Sequence, residues 1–184
     1  MLLSLTPMNL GLSQGVVPPI YTATMGTACV FIAGLATATY GGLGLINPVT
    51  PAGSSAIKLV PLKCSFVPTG VGTAGNFLGL SKIYGTNSVM GTSGAPGPVW
   101  QAGVAGTTTN QRAVILGTFT MSNGTCTNAY VEFLMGGGAT AGSPNAGMLP
   151  LDGEITVMPG EVLTFNMGIA GTGIASITWA ELPL

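Results

Sequence analysis

The sequence predicts an all-β fold, an antiparallel β-sandwich preceded by an extended arm. Three observations carry that reading. Apolar and polar residues alternate in short runs, the period of a half-buried strand. Gly, Pro and Asn clusters bound those runs. Nowhere along the 184 residues does an i, i+3, i+4 apolar spacing persist long enough for an amphipathic helix. About seven or eight strands are expected, at spacings typical of a sandwich. Helix content should fall below about 10%, well under the usual third.

Residues 1–25 read as the arm and residues 26–184 as the sandwich domain. In the arm, Pro7, Pro18 and Pro19 oppose helix, while Asn9, Ser13 and Gly15 favour turns. Leu2, Leu3, Leu5, Leu10 and Leu12 are apolar without helical spacing. Left in water they would be costly, so they are candidate interface residues, packing on the domain or on a neighbouring subunit. Residues 28–32 (ACVFI) are apolar on both faces, as in a strand covered on both sides. Residues 57–67 form a strand containing Pro61, which belongs at an edge or a bulge because proline donates no ladder hydrogen bond. Residues 76–84 fit either a strand or one or two helical turns.

Residues 85–110 read as a long Gly, Ser, Thr and Pro-rich loop, a length that usually signals a binding or assembly role. Trp100 is its expected anchor, either to a partner or to the chain's own core. Residues 112–121 and 129–135 are clear strands, and Asn123-Gly124 between them suggests a hairpin. In the tail, residues 151–184, Ile155 and Val157, then Leu163, Phe165 and Met167, then Ile177 and Trp179 each occupy alternate positions. Pro159-Gly160 suits the two corners of a turn, so the tail reads as three antiparallel strands with Glu154 and Glu161 keeping a hairpin tip wet. Trp179 is expected in the core with some of the Leu163, Phe165 and Met167 set.

Composition bounds the function. Only 5% of residues are charged, against about 25% in ordinary soluble domains. Four Lys and Arg make no basic footprint, so nucleic acid is not an expected partner. A net charge of -1 provides little repulsion between copies, so much of the surface is expected to be covered by other subunits. Residues 27–46, the best stretch for a membrane span, are interrupted by Gly34, Gly41, Gly42 and Gly44, and no membrane partner is expected. No charge precedes Lys58, whereas a secretory leader carries a basic start.

Chemistry-bearing groups are sparse. With no histidine, neither a Ser–His nor a Cys–His nucleophile is available. Cys29, Cys64 and Cys126 lack metal-site spacing and read as small buried thiols. Asp152 and Glu154 share a strand face but suit a solvated strand start better than a catalytic pair. Residues 70–75 (GVGTAG) fit a GxGxxG pattern, but no helical pattern follows and no acid appears before Glu132, so a plain turn is the better reading. Asn123-Gly124-Thr125 has the form of a glycosylation acceptor. The chain is therefore expected to be neither an enzyme nor the carrier of a cofactor or metal.

The tail, GEITVMPGEVLTFNMGIAG followed by ASITWAELPL, resembles the closing strands of capsid-associated decoration, or cement, proteins of tailed bacteriophages. The matching positions are Pro159 and Gly160 at the turn and Trp179, Glu181 and Pro183 on the last strand. The resemblance is confined to that tail. It implies a double-sheet jelly roll, a homotrimer on the outer capsid surface, and the major capsid protein as partner. It also implies assembly in the host cytoplasm and residence on the virion, where the protein would lock neighbouring capsid subunits together. The alternative is a receptor- or carbohydrate-binding jelly-roll module of a phage fibre or spike, for which Trp100 beside Gln101 is the one loop pair suited to a sugar.

Overall fold

A computed structural model of the chain describes residues 18–24, 29–31, 39–50, 52–68, 77–84, 98–120, 125–134, 147–151, 153–167 and 171–184. Among these residues there is no helix and eleven strands form two antiparallel sheets. The all-β expectation therefore holds.

The first sheet centres on β11 (Gly171–Pro183), the longest strand. On one side β11 pairs with β1 (Ile20–Thr24), which pairs with β6 (Val99–Gln101). On the other it pairs with β4 (Ile57–Pro68), which pairs with β9 (Gly147–Pro150). Short β2 (Cys29–Phe31) joins the start of β11. The second sheet has the order β7-β3-β10-β5-β8, from β7 (Val114–Thr120), β3 (Thr39–Ile46), β10 (Glu161–Met167), β5 (Phe77–Tyr84) and β8 (Thr125–Leu134). Residues 77–84 are thus strand, not helix. The strand β5 also occupies the place after residues 70–75 where a dinucleotide fold would need its helix.

Eight of these strands pair as nested couples: β1 with β11, β3 with β10, β4 with β9, and β5 with β8. Successive members of the series alternate between the sheets. The remaining long insertion, between β5 and β8, supplies β6 and β7, which extend the two sheets beside β1 and β3. Residues 20–24 of the expected arm are strand β1, so the sandwich begins by Ile20; Leu2, Leu3, Leu5, Leu10 and Leu12 lie outside the described residues.

The core lies between the sheets. Tyr21, Cys64, Phe66, Ile177 and Trp179 project from the first sheet to meet Leu45, Leu80, Ile115 and Leu163 of the second. Trp179 is completely buried, and its ring lies 5.6 Å from that of Tyr21, its register partner on β1. Each such side chain contributes about 1.5–3 kcal/mol through burial. Period two fails at one place in β4. Leu62 is skipped in the register between Lys63↔Thr178 and Pro61↔Trp179, so Pro61 sits at a bulge, where its missing N–H breaks no regular ladder. The bulge turns Val60 away from the main core into a second cluster with Ala180 and Leu182.

The tail differs from its expected three-stranded hairpin. Met158 accepts a hydrogen bond from the Glu161 N–H at 2.9 Å, and Gly160 has φ +84°, the geometry of a type II turn. However, Val157 bridges Leu59 in the first sheet while β10 belongs to the second. The turn carries the chain across the sandwich, and β10 faces β11 across the core instead of pairing with it. Glu161 is correspondingly not a wet tip: it is 2.8 Å from Lys82 Nζ and accepts the Met158 N–H at 2.7 Å. Buried Asn47 fastens this end, its side-chain amide donating to the carbonyls of Ile57 at 2.8 Å and Val157 at 2.9 Å. Similarly, β7 and β8 pair with β3 and β5 and not with each other; Asn123-Gly124 lies outside the described residues. Alternation shows which face of a strand is buried but leaves its neighbours open.

Candidate functional site

The outer face of the first sheet can be read off its register. One row across the strands runs Trp100, Thr22, Thr178, Lys63, Pro150. The next runs Thr24, Ser176, Ser65, Met148. The Thr22 and Thr178 hydroxyls bond each other at 3.0 Å, a cross-strand pair that stiffens the sheet. The rim holds large apolar groups: Trp100 is 40% exposed, Met148 63% and Val67 43%. Lys63 is the one charge in these two rows. A sheet face meant for water ordinarily alternates its buried residues with charged and strongly polar ones. This one presents short hydroxyls and apolar side chains.

Trp100 lies on a strand within the expected loop, and it does not anchor that segment to the chain's own core. It lies on β6, with Val99 as the buried anchor beneath and its own indole turned outward. The segment after β6 folds back and closes the strand's free edge. Thr107 bridges Trp100, the Thr108 N–H donates to the Val99 carbonyl at 2.8 Å, and Gly103 and Gly106 take the positive φ angles of the intervening turn. Covering the edge directs interaction to the face of the sheet.

Behind that face, Glu181 fastens the two sheets. Its Oε1 accepts the N–H groups of Arg112 and Ala113, each at 2.9 Å, and the Trp179 indole Nε1–H at 3.3 Å; Oε2 accepts the Arg112 N–H at 3.1 Å. Only 7% of Glu181 is exposed. Three N–H groups thus compensate a carboxylate that would be costly to bury alone. Burial, with the Glu181 charge as a smaller contribution, raises the Tyr21 phenol above its ordinary 10.0. The two-residue spacing that puts Trp179 and Glu181 on one strand face was visible in the sequence; that the backbone before β7 would meet them was not.

A groove of about 490 Å³ opens between the first sheet's β6 and the second sheet's β7. Val99, Ala113 and Ile115 form its apolar floor, and Thr107, Thr108, Thr109, Gln111 and Arg112 its polar wall. The Gln111 Oε1 is buried without a hydrogen-bond partner, which ordinarily costs about 1–3 kcal/mol. The sequence marks residues 85–110 as a loop with a binding or assembly role and residues 112–121 as a strand, but not the groove between them, because the approach of β6 to β7 at the sandwich edge is set by sheet pairing.

Among the described residues, no three His, Cys, Asp or Glu side chains converge on a possible metal site. No helix among them is long and apolar enough to cross a membrane, which leaves strand-built spans unaddressed. Cys64 is buried and free, with its thiol pushed up to about 12 by burial. No family model matches the chain, and neither a curated protein nor a solved structure matches it.

Proposed function

We propose that this chain is a structural virion protein of jelly-roll fold, a capsid decoration protein that docks on a phage head and secures contacts between major capsid subunits. The observation that carries the reading is the outer face of the first sheet, where two adjoining rows hold serine and threonine hydroxyls and a single lysine beside an apolar rim of Trp100, Met148 and Val67. Such a surface suits cover by another protein, since aromatic and Met side chains are enriched and charged groups depleted at the centres of interfaces. The nested pairing of strands supports the fold assignment, because a ribbon folded so that first pairs with last yields the two sheets of a jelly roll, an architecture common in viral shells. In this reading the leucines at positions 2, 3, 5, 10 and 12 supply a second contact, and the protein assembles as a homotrimer.

The test is co-sedimentation of the purified chain with bare shells of the virus that encodes it, alongside light scattering of the free protein. The expected result is saturable binding in a fixed ratio to shell subunits by a trimeric protein. Replacing Trp100 and Met148 together by Ser should abolish binding without lowering the melting temperature. Failure of the unaltered chain to co-sediment would reject the proposal.

A further inference from the structure

We propose that the groove between β6 and β7 binds a carboxylate-bearing sugar unit, an activity additional to shell attachment and independent of it. Its volume, about 490 Å³, lies within the range of about 300–1,000 Å³ typical of ligand sites. Three features of the wall specify the ligand.

The first is Arg112. Its side chain is exposed at the groove and forms no ion pair among the described residues. A guanidinium in that state fits a carboxylate through two parallel N–H···O bonds. The nearby negative charge of Glu181 is already engaged by two backbone N–H groups and the Trp179 indole. The second is Gln111, which lines the groove and whose Oε1 is buried without a donor; turned toward the groove, that oxygen would accept from a sugar hydroxyl or N-acetyl N–H. The third is the run Thr107, Thr108 and Thr109, which offers hydroxyls to a ring bearing several hydroxyls of its own. The Thr108 Oγ1 accepts the Asn110 N–H at 3.1 Å, leaving its own O–H available to donate. The apolar floor of Val99, Ala113 and Ile115 suits the C–H face of a pyranose.

The same wall fits other anions less well. Phosphate sites commonly use several cations or free backbone N–H groups, whereas the Arg112 and Ala113 N–H groups are both committed to Glu181. An extended peptide adds to a strand edge. On the β6 side Thr107 and Thr108 occupy it; on the other side β7 is the end strand of its sheet among the described residues, the alternative that an oligoglutamate probe tests.

The experiment is calorimetric titration of the full chain with three probes: an oligosaccharide of alternating glucuronic acid and N-acetylglucosamine, a neutral N-acetylglucosamine oligomer of equal length, and oligoglutamate. The acidic oligosaccharide should bind saturably, more tightly than the neutral one by about 10- to 100-fold, the contribution of one charge-assisted pair. Oligoglutamate should not compete. Arg112→Gln should erase the preference for the acidic sugar, and Gln111→Leu should weaken both sugars. Trp100→Ser should change neither, because the indole lies on the other side of β6. Both groove variants alter side chains away from the core clusters, and unchanged melting temperatures verify their folding. Absence of binding, equal binding of the two sugars, equal binding of oligoglutamate, or undiminished acidic preference in Arg112→Gln would each overturn the assignment. None of these outcomes bears on shell binding, so the two proposals fail separately.

Discussion

Replacing Glu181 by Ala removes the carboxylate that holds the last strand against the start of β7. Three donors lose their acceptor: the N–H groups of Arg112 and Ala113 at 2.9 Å and the Trp179 indole at 3.3 Å. Arg112 is exposed and its N–H can turn to water. Ala113 is 3% exposed and Trp179 is fully buried, so their donors have little access to solvent. At about 1–3 kcal/mol for each buried donor left unmade, the loss is about 2–6 kcal/mol, a large part of a domain stability of about 5–15 kcal/mol. Glu181→Gln separates charge from shape. All three donors reach Oε1, which the amide oxygen can replace, so the losses are the charge assistance and the longer Arg112 N–H contact to Oε2, at a cost of about 1–2 kcal/mol. Urea denaturation of the two variants, followed by near-ultraviolet circular dichroism of the buried Trp179, measures both values. An Ala variant within about 1 kcal/mol of the unaltered protein, or a Gln variant as unstable as Ala, would refute the reasoning.

Other perturbations probe separate parts of the sandwich. Trp179→Ala should cost about 3–5 kcal/mol in thermal melts of the free protein; an unchanged transition would place the side chain outside the core. Gly173→Ala should destabilise by about 1–3 kcal/mol, since the added methyl would run into the Phe66 ring and lie 2.9 Å from the Val67 carbonyl oxygen; a smaller cost of the same change in a Phe66→Leu background than in the unaltered chain would locate the part of the clash made by the ring. Raising the pH should weaken the fold through Cys64. The unfolded thiol ionises at its ordinary 9.0 while the folded one stays protonated to about 12. Stability is therefore full below about pH 9 and falls towards about pH 12, by up to about 4 kcal/mol. Urea midpoints at about pH 8 and about pH 10.5 should converge in Cys64→Ala relative to the unaltered chain, apart from the smaller contribution of Tyr21, whose raised phenol acts in the same direction.

The all-β class, the Pro159-Gly160 turn, the burial of Trp179 and the restriction of Pro61 to an edge or a bulge were legible in the sequence, and the structure resolved Pro61 as a bulge in an interior strand. Each depends on local physics: side-chain period, the fixed φ of proline, the positive φ open to glycine, and the apolar area of an indole. Strand partnership was not legible. The same alternation that marks Leu163 and Ile177 as inward-facing permits β10 and β11 to pair side by side or to face one another across the core, and only the tertiary structure places them in opposite sheets. Trp100 shows the same limit, because a Trp within a Gly-rich stretch reads as an anchor until its neighbour Val99 is seen to take the inward position. The site was still less accessible. Glu181 meets Arg112 and Ala113 across 69 and 68 positions of sequence, and the groove joins β6 to β7 through sheet edges that belong to different layers. Contacts of that range follow from how the nested ribbon closes, a property of the whole chain that no window of residues contains.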